Sequence, residues 1–151
     1  MQIVAPRGSR DSAWLALRLQ LWPEAARAEH LAGMADALAR GHCVRLAHAG
    51  GAVLGFVEAS RRDDYVNGTG SSPVAFLEGL FVVPEQRRRG IARVLVEEVV
   101  QWAHRQGLRE FASDALLHNT DAHAVHRALG FEETERVVYF RRALPDSSDS
   151  T

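Results

Sequence analysis

The apolar and polar positions of the chain follow two periods, one typical of helices and one typical of strands. Between Gly90 and Gln106, apolar residues recur at helical spacing, which predicts an amphipathic helix. Shorter apolar runs, such as Val74 to Val83, predict strands. Glycine follows three of the predicted helices, at positions 41, 107 and 130, and glycine commonly ends a helix. The pattern therefore predicts a chain in which helices and strands are interleaved.

The full series of predicted elements begins and ends with a strand. In chain order it comprises strand 2–5, helices 12–21 and 24–39, strands 43–48, 52–61 and 74–83, helix 90–106, strand 109–113, helix 120–129 and strand 131–142. This order predicts one α/β domain over residues 1–145, with a mixed sheet and helices on its faces. The serine-rich residues 146–151 predict a disordered tail.

Composition narrows the classes of function. The 151 residues are 46% hydrophobic and 25% charged, as in an ordinary globular domain. The net charge of −1 argues against a nucleic-acid partner. The chain shows no signal peptide and no apolar stretch near the roughly 20 residues that span a bilayer, so we expect a cytoplasmic protein with no membrane partner.

The sulfur and imidazole groups predict neither a covalent intermediate nor a metal site. The single cysteine, Cys43, lies in a predicted strand without a neighbouring base, and lone cysteines are usually core residues. His118, His123 and His126 are close in sequence, but no cysteine or carboxylate set completes a zinc site around them. We therefore expect no metal.

A basic loop joins the strand ending near Val83 to the amphipathic helix. The first N–H groups of a helix lack partners within it, and its N-terminus carries about half a positive charge, so this end can bind an anion. The residues of the loop and the first turn are Arg87, Arg88, Arg89, Gly90, Ile91 and Ala92. The alternative is a solvated basic turn. The strand, the proline and the glycine in register favour a phosphate site.

Two motifs resemble the hallmarks of the GNAT acetyltransferases. Arg87-x-x-Gly90-x-Ala92 after an apolar strand resembles their coenzyme A pyrophosphate motif, and residues 128–131, after Asn119, resemble their second hallmark. The resemblance implies the GNAT fold, with a mostly antiparallel sheet split near the acetyl-CoA site. It also implies that the backbone groups of three residues pair with the pantetheine arm of the co-substrate, acetyl-CoA. These residues are Leu80, Phe81 and Val82.

Six short blocks resemble, more narrowly, one branch of the aminoglycoside 6'-N-acetyltransferases. They are residues 21–23, 64–68, 71–74, 76–79, 112–114 and 130–137. The resemblance implies that Asn119 touches acetyl-CoA and that five residues line the aminosugar pocket. The five are Trp22, Tyr65, Glu78, Asp114 and Glu135. Carboxylates and aromatic faces are what a polycationic sugar requires.

Glu78 also stands out without the resemblance, because it interrupts an apolar strand. Burying a carboxylate costs several kcal/mol unless it is paired or solvated, which favours a functional role. The alternative is a structural carboxylate satisfied by a nearby arginine or by N–H groups at a bulge, and the adjacent Gly79 predicts a bulge or a close backbone approach. For Asp114, at a strand end, the two interpretations weigh equally.

We expect direct acetyl transfer in a ternary complex. A base must remove a proton from the incoming ammonium, and Glu78 is the first candidate and Asp114 the second. A backbone N–H of residues 80–82 would stabilise the oxyanion. Where the superfamily usually places a tyrosine that protonates the leaving thiolate, this chain has His126, an imidazole that could donate a proton instead.

Two other functions remain open from the sequence. One is acetyl transfer to another amine, such as a protein lysine or a polyamine, since an acidic pocket fits any of these cations. The other is a silent acetyl-CoA-binding module, although such a module would tolerate the loss of Glu78 and Asp114. We also expect a homodimer, because the final strand offers an edge for pairing.

Overall fold

The computed structural model describes residues 1–147; the other four residues of the predicted tail, 148–151, lie outside the described residues. Its elements are β1 (Gln2–Val4), α1 (Ser12–Leu21), α2 (Arg27–Ala39), β2 (Cys43–Ala49), β3 (Ala52–Arg62), β4 (Val74–Val82), a 3₁₀ turn (Pro84–Gln86), α3 (Ile91–Arg105), β5 (Phe111–Ala112) and α4 (Thr120–Ala128). The predicted order is confirmed up to the end of α4.

The sheet has the order β1-β2-β3-β4-β5, and each of its first three pairings is antiparallel. Tight glycine turns make this possible, since Gly50 and Gly51 join β2 to β3 with positive φ angles of 56° and 81°. The last pairing, between β4 and β5, is parallel, because α3 carries the chain back across the sheet.

Helices cover both faces of the sheet, as predicted. The apolar stripe of α3, including Leu95 and Val99, packs on one face. On the other face, α1 and α2 contribute Trp14 and Met34, both fully buried. The sequence offers Asp11 and Ser12 as candidates for the N-cap of α1, and Asp11 is the cap, because its Oδ1 accepts from the N–H groups of Ala13 and Trp14.

The sheet is split beside β4, in agreement with the GNAT fold. β5 pairs with β4 only at Ala75 and Phe76. Beyond them, the stretch 77–82 is paired with β3 but has no strand on its other side among residues 1–147. The backbone N–H and C=O groups on that side, other than the Val82 carbonyl, which accepts from Arg87, are therefore available to a ligand that binds in extended form.

A bulge in β4 sets the position of Glu78. Glu58 of β3 pairs with Gly79 and the next residue, Ala59, pairs with Leu77, so Glu78 is the extra residue. The alternation of side chains changes phase there: Leu77 packs on the α3 side, and so does Leu80, three residues later. The predicted bulge is confirmed, and it turns Glu78 away from the core under α3.

The prediction of a final strand over 131–142 is wrong for the single chain. Residues 131–146 have no regular secondary structure, and Tyr139 and Phe140 are 82% and 92% exposed. A strand needs a neighbour for its backbone hydrogen bonds, and β5 is too short to provide one within the chain. We call residues 132–146 the terminal segment.

Candidate functional site

The N-terminus of α3 lies where β4 ends and has no negative group of its own. Gly90 is its N-cap in a left-handed conformation, with φ at 81°, and makes no capping hydrogen bond through a side chain. The first turn contains no acidic residue. The unpaired N–H groups there are free to bind an anion, as the basic loop predicts.

The basic loop is held in place by Arg87. Its Nε donates to the carbonyl of Val82 at 2.9 Å, and its guanidinium lies 5.5 Å from the ring centroid of Phe81. Arg88 has a φ of 65°, a left-handed conformation that is rare outside glycine. Arg89 is exposed and donates to Gln86. The loop thus carries its charge on a fixed backbone beside the open stretch of β4.

Glu78 is paired with neighbouring polar groups rather than left free. Ser60 donates its hydroxyl to Oε1 of Glu78 at 2.6 Å, and Nη2 of Arg62 lies 3.0 Å from the same oxygen. The guanidinium of Arg62 also lies 3.6 Å from the ring centroid of Phe76. This arrangement agrees with the structural interpretation of Glu78, in which an arginine satisfies the carboxylate. An incoming ammonium would compete with Arg62 for the carboxylate.

Trp22, directly after α1, lies against the same part of β4. A Cβ on Gly79 would come within 2.6 Å of the indole, so only glycine leaves room for this ring. Trp22 and Glu78 line a cavity of ≈ 260 Å³ between the two helices and the sheet. Two of the five predicted pocket residues therefore lie at one site, and the predicted close approach at Gly79 is confirmed.

The other three predicted pocket residues lie on a second, larger cleft. Tyr65, Asp114 and Glu135 line an opening of ≈ 1620 Å³ between β5, the loop after β3 and the terminal segment. All three are exposed. Arg62 also lines this cleft while its guanidinium binds Glu78, so the ion pair lies between the two cavities.

The loop that carries Tyr65 is fixed to the start of β5 by Glu110. The hydroxyl of Ser71 and the N–H of Gly70 both donate to its carboxylate. The bond from Ser71, with those from the backbone, holds the pKa of Glu110 below its usual value. An ionised Glu110 therefore orders one wall of the larger cleft.

His126 forms a hydrogen-bonded pair with Ser113. Its Nδ1 lies 2.6 Å from the carbonyl of Ala122, which can only accept, so this nitrogen carries a proton. In the neutral ring, Nε2 then accepts from the Ser113 hydroxyl at 2.7 Å. Sequence reasoning singled out His126 but missed the role of Ser113. Only the packing of α4 beside β5 brings the two residues together.

Asn119 begins α4 rather than pointing freely into solvent. Its Oδ1 accepts from the N–H of Ala122 at 3.1 Å, which makes Asn119 the N-cap of the helix. The other end of α4 is held by Arg93 of α3, whose Nη2 donates to the carbonyl of Ala128 at 2.7 Å.

Sequence reasoning also missed Ser60 and Arg62, the two partners of Glu78. Ser60 lies eighteen residues and Arg62 sixteen residues before Glu78, and nothing local in the sequence marks a partner at such a separation.

These features, a split sheet and an uncapped basic helix start, agree with comparisons to known proteins. A family model described as "Acetyltransferase (GNAT) family" matches residues 10–131. The chain belongs to the GNAT acetyltransferase family.

The relatives of this acetyltransferase narrow the comparison. The aminoglycoside N(6')-acetyltransferase type 1 of Acinetobacter baumannii is 49% identical over 146 residues, which are 95% of this chain and 99% of that protein. The apo crystal structure of the aminoglycoside antibiotic 6'-N-acetyltransferase AAC(6')-IG from Acinetobacter haemolyticus has a TM-score of 0.89 at 43% identity, covering 96% of this chain and 100% of its own.

A third comparison includes a ligand in the matched structure. AAC(6')-Iy in complex with the bisubstrate analog CoA-S-monomethyl-acetylneamine has a TM-score of 0.87 at 45% identity, and the match covers 95% of this chain and 98% of that one.

The described residues of the present chain contain neither a membrane helix nor a metal cluster. No helix within residues 1–147 is long and apolar enough to cross a membrane. Over the same range, no group of three or more histidine, cysteine, aspartate or glutamate side chains is placed to hold a metal ion.

Proposed function

We propose that this enzyme transfers the acetyl group of acetyl-CoA to the 6'-amine of aminoglycosides by direct attack in a ternary complex. The observation that carries the proposal is the Trp22–Glu78 cavity, an aromatic ring and a carboxylate at the bulge of β4, beside the open edge of the sheet. The relatives that match nearly the whole chain act, by name, on the same position of the same substrates.

The co-substrate would bind on the open side of β4. The backbone of Leu80, Phe81 and Val82 would pair with the pantetheine arm, and the residues from Arg87 to Ala92 would hold the pyrophosphate. Asn119 would lie beside the acetyl-CoA at the start of α4. This placement brings the thioester to the split, next to the bulge that carries Glu78.

The reaction requires one base and one proton donor. The substrate ammonium loses a proton to Glu78, directly or through water, and the lone pair of the resulting amine attacks the thioester carbonyl. The C–N bond forms, the C–S bond breaks, and the nitrogen loses its second proton to solvent as the intermediate collapses to the amide. Glu78 can accept the proton once Arg62 has given up its carboxylate to the substrate ammonium. Asp114, exposed on the larger cleft with Tyr65 and Glu135, is the second candidate.

The leaving thiolate would take its proton from the Ser113–His126 pair. In the protonated ring, Nε2–H donates to the Ser113 oxygen and frees the hydroxyl hydrogen to face the sulfur. As the O–H proton moves to the thiolate, the Nε2 proton moves to the serine oxygen, which leaves a neutral serine and a neutral His126. This route assigns the acid function to the pair rather than to His126 alone.

A thiol-release assay tests the activity. With acetyl-CoA as donor, we expect turnover with kanamycin and little turnover with polylysine or spermidine, and mass spectrometry and NMR of the product should place the acetyl group on the 6'-nitrogen. Expression in a susceptible bacterium should raise the kanamycin concentration needed to stop growth. Turnover with polylysine or spermidine alone would replace the aminoglycoside with another amine, and release with none of the three would favour a silent module.

The two carboxylates are separated by their neutral variants. If Glu78 is the base, Glu78→Gln lowers kcat at least tenfold and removes the acid limb of the pH–rate profile, whereas Asp114→Asn changes mainly KM. The reverse pattern would make Asp114 the base. If neither variant slows turnover tenfold, neither carboxylate is the base.

We also propose a homodimer in which the terminal segment of each protomer adds to the sheet of its partner. Residues 137–140 are a continuous apolar run, Val-Val-Tyr-Phe, exposed in the single chain; such runs are typical of strands buried on both faces. β5 pairs on one side only within residues 1–147 and offers a free edge. The acetyl-CoA substrate supports a cytoplasmic location for this dimer, which cell fractionation checks.

Light scattering coupled to size exclusion tests this assembly. We expect twice the chain mass for the wild type and a monomer for Phe140→Glu, because the variant would bury a charge in the new strand. Val94→Glu is the control, since Val94 is a single exposed apolar residue on α3. A wild-type monomer, or a dimer that survives Phe140→Glu, contradicts the proposal.

A further inference from the structure

A buried ion pair joins α1 to β3 below the Trp22–Glu78 cavity. Nη1 of Arg18 lies 2.6 Å from both carboxylate oxygens of Glu58, and the two side chains are only 12% and 4% exposed. Trp14 completes the site by donating its Nε1–H to Oε2 of Glu58 at 2.9 Å. Both charges are therefore largely removed from water, and both carboxylate oxygens of Glu58 are bonded.

Stability alone does not account for this pair. Desolvation of two buried charges costs several kcal/mol per ion, and apolar residues of similar size often replace such pairs without loss. Arg45 and Glu98, on the α3 face, form a looser pair at 3.7 Å, with side chains 23% and 37% exposed, and line neither of the two cavities described above. The close pairing of Arg18 with Glu58 instead indicates that Glu58 fixes Arg18 for its contacts with other residues.

Arg18 reaches Trp22 by two routes. Its Nε donates to Nδ1 of His30 at 3.3 Å, so the neutral ring carries its proton on Nε2 and donates it to the carbonyl of Trp22 at 3.0 Å. In addition, the guanidinium carbon lies 4.9 Å from the centroid of the Trp22 ring. Gly33 of α2 makes room, since a Cβ there would come 2.8 Å from Nη2 of Arg18.

These contacts fix the indole that contacts Gly79. The backbone of Trp22 is held through His30, its ring is covered by Arg18 and stacks on His30 with a centroid distance of 6.3 Å, and its far edge fills the space at Gly79. Arg18 and Glu58 line the same ≈ 260 Å³ cavity as Trp22 and Glu78. Glu58 also neutralises Arg18, so that a cation beside the acceptor cavity does not repel a cationic acceptor.

We propose that Arg18, anchored by Glu58 and acting through His30, is a positioning residue that sets the Trp22 ring for the acceptor. This inference rests on the proposed function, because it assigns the cavity to the aminosugar. Arg18 touches neither acetyl-CoA nor the reacting amine in this assignment. Arg18 acts on the acceptor only through Trp22. Its effect on acceptor binding can therefore be distinguished from a general effect on the fold.

The kinetic test compares Arg18→Met in two backgrounds. In the wild-type background we expect KM for kanamycin to rise about tenfold, with KM for acetyl-CoA unchanged. Arg18→Lys should not rescue it, because lysine has no Nε–H fork to bond Glu58 and His30 together. In a Trp22→Ala background, Arg18→Met should have no further effect on KM. An equal tenfold effect in the Trp22→Ala background overturns the proposal. Arg45→Met is the control and should leave the KM values for kanamycin and acetyl-CoA unchanged.

A second measurement needs no acceptor activity. The indole N–H signals of Trp14, Trp22 and Trp102 are assigned in a ¹H–¹⁵N spectrum by single Trp→Phe variants. Arg18→Lys, which keeps a charge for Glu58 and so preserves the fold, should move or broaden the Trp22 signal, whereas Arg45→Met should not. An unmoved Trp22 signal overturns the inference. Absence of wild-type turnover with kanamycin would overturn the proposed function while leaving this measurement decisive for Arg18.

Discussion

At the scale of single residues, the site depends on glycines and caps as much as on charged groups. Gly79 leaves the space that Trp22 fills, and Asp11 begins the helix that ends at Trp22. Sequence reasoning found Glu78, Gly79 and Asp11 because each has a local signal, namely a charge in an apolar run, a glycine in a strand or a cap before a helix. It missed Glu58, which interrupts an apolar strand just as Glu78 does.

Gly79→Ala should separate acceptor binding from donor binding. The added methyl group would collide with the indole, so Trp22 must move, and we expect KM for kanamycin to rise about tenfold with KM for acetyl-CoA unchanged. Gly8→Ala is the control, because nothing lies within 4 Å of a Cβ there. Steady-state kinetics with each substrate varied in turn gives the answer, and an unchanged kanamycin KM would place the acceptor away from Trp22.

Asp11→Ala should cost about 1 kcal/mol of stability through loss of the cap, and Asp11→Asn much less. Burial raises the pKa of Asp11, but the N–H groups of Arg7, Trp14 and Ala13 more than offset this and leave the pKa lowered. The ionised cap therefore stabilises the fold above the unfolded pKa of about 3.9, and this contribution disappears as pH falls through the lower folded value. Urea unfolding at pH 7 and pH 3 should show the difference between wild type and Asp11→Asn shrinking in acid.

At the scale of elements, β4 and α3 together form the donor side of the site. Periodicity predicts both elements well, because α3 has a continuous apolar stripe and β4 a continuous apolar run. The left-handed conformation of Arg88 has no such signal, since it results from how the loop closes between two fixed elements. The basic loop itself was predictable from its arginines, but its attachment to Val82 through Arg87 was not.

Two substitutions at Arg88 separate charge from backbone strain in this loop. Both Arg88→Gln and Arg88→Gly should weaken acetyl-CoA binding, by up to about fivefold at low salt, if the charge contributes as an exposed pair. Only Arg88→Gly should also raise the melting temperature, because glycine adopts a φ of 65° without steric cost. Calorimetric titration and thermal melts decide; equal melting temperatures would mean that the backbone there is relaxed.

At the scale of the whole molecule, the sequence pattern of one chain does not identify its contacts with another chain. The pattern over 131–142 predicts a strand, yet these residues form none in the single chain, where no neighbour is present for them. The hydrophobic period and the composition of a segment indicate whether it suits a sheet. They do not indicate whether the adjacent strand comes from the same chain or from a second copy. Glu135, one of the five predicted pocket residues, lies on this unpaired segment.

Assembly should therefore be visible in stability. If folding and strand exchange are coupled, the melting temperature of the wild type rises with protein concentration, because association stabilises the folded state by mass action. Phe140→Glu should melt at one temperature at all concentrations. Scanning calorimetry over a hundredfold range of concentration measures both, and a flat wild-type profile would uncouple the terminal segment from stability.

The bulge at Glu78 has a genetic consequence. Upstream of it, the α3 side of β4 is built from Ala75 and Leu77, and downstream from Leu80 and Val82. Removal of the Glu78 codon would therefore leave these four aliphatic groups in plain alternation, still on the α3 side, while it takes the carboxylate out of the strand. In a deletion scan, we expect loss of this one codon to spare the fold and to lower acetyl transfer.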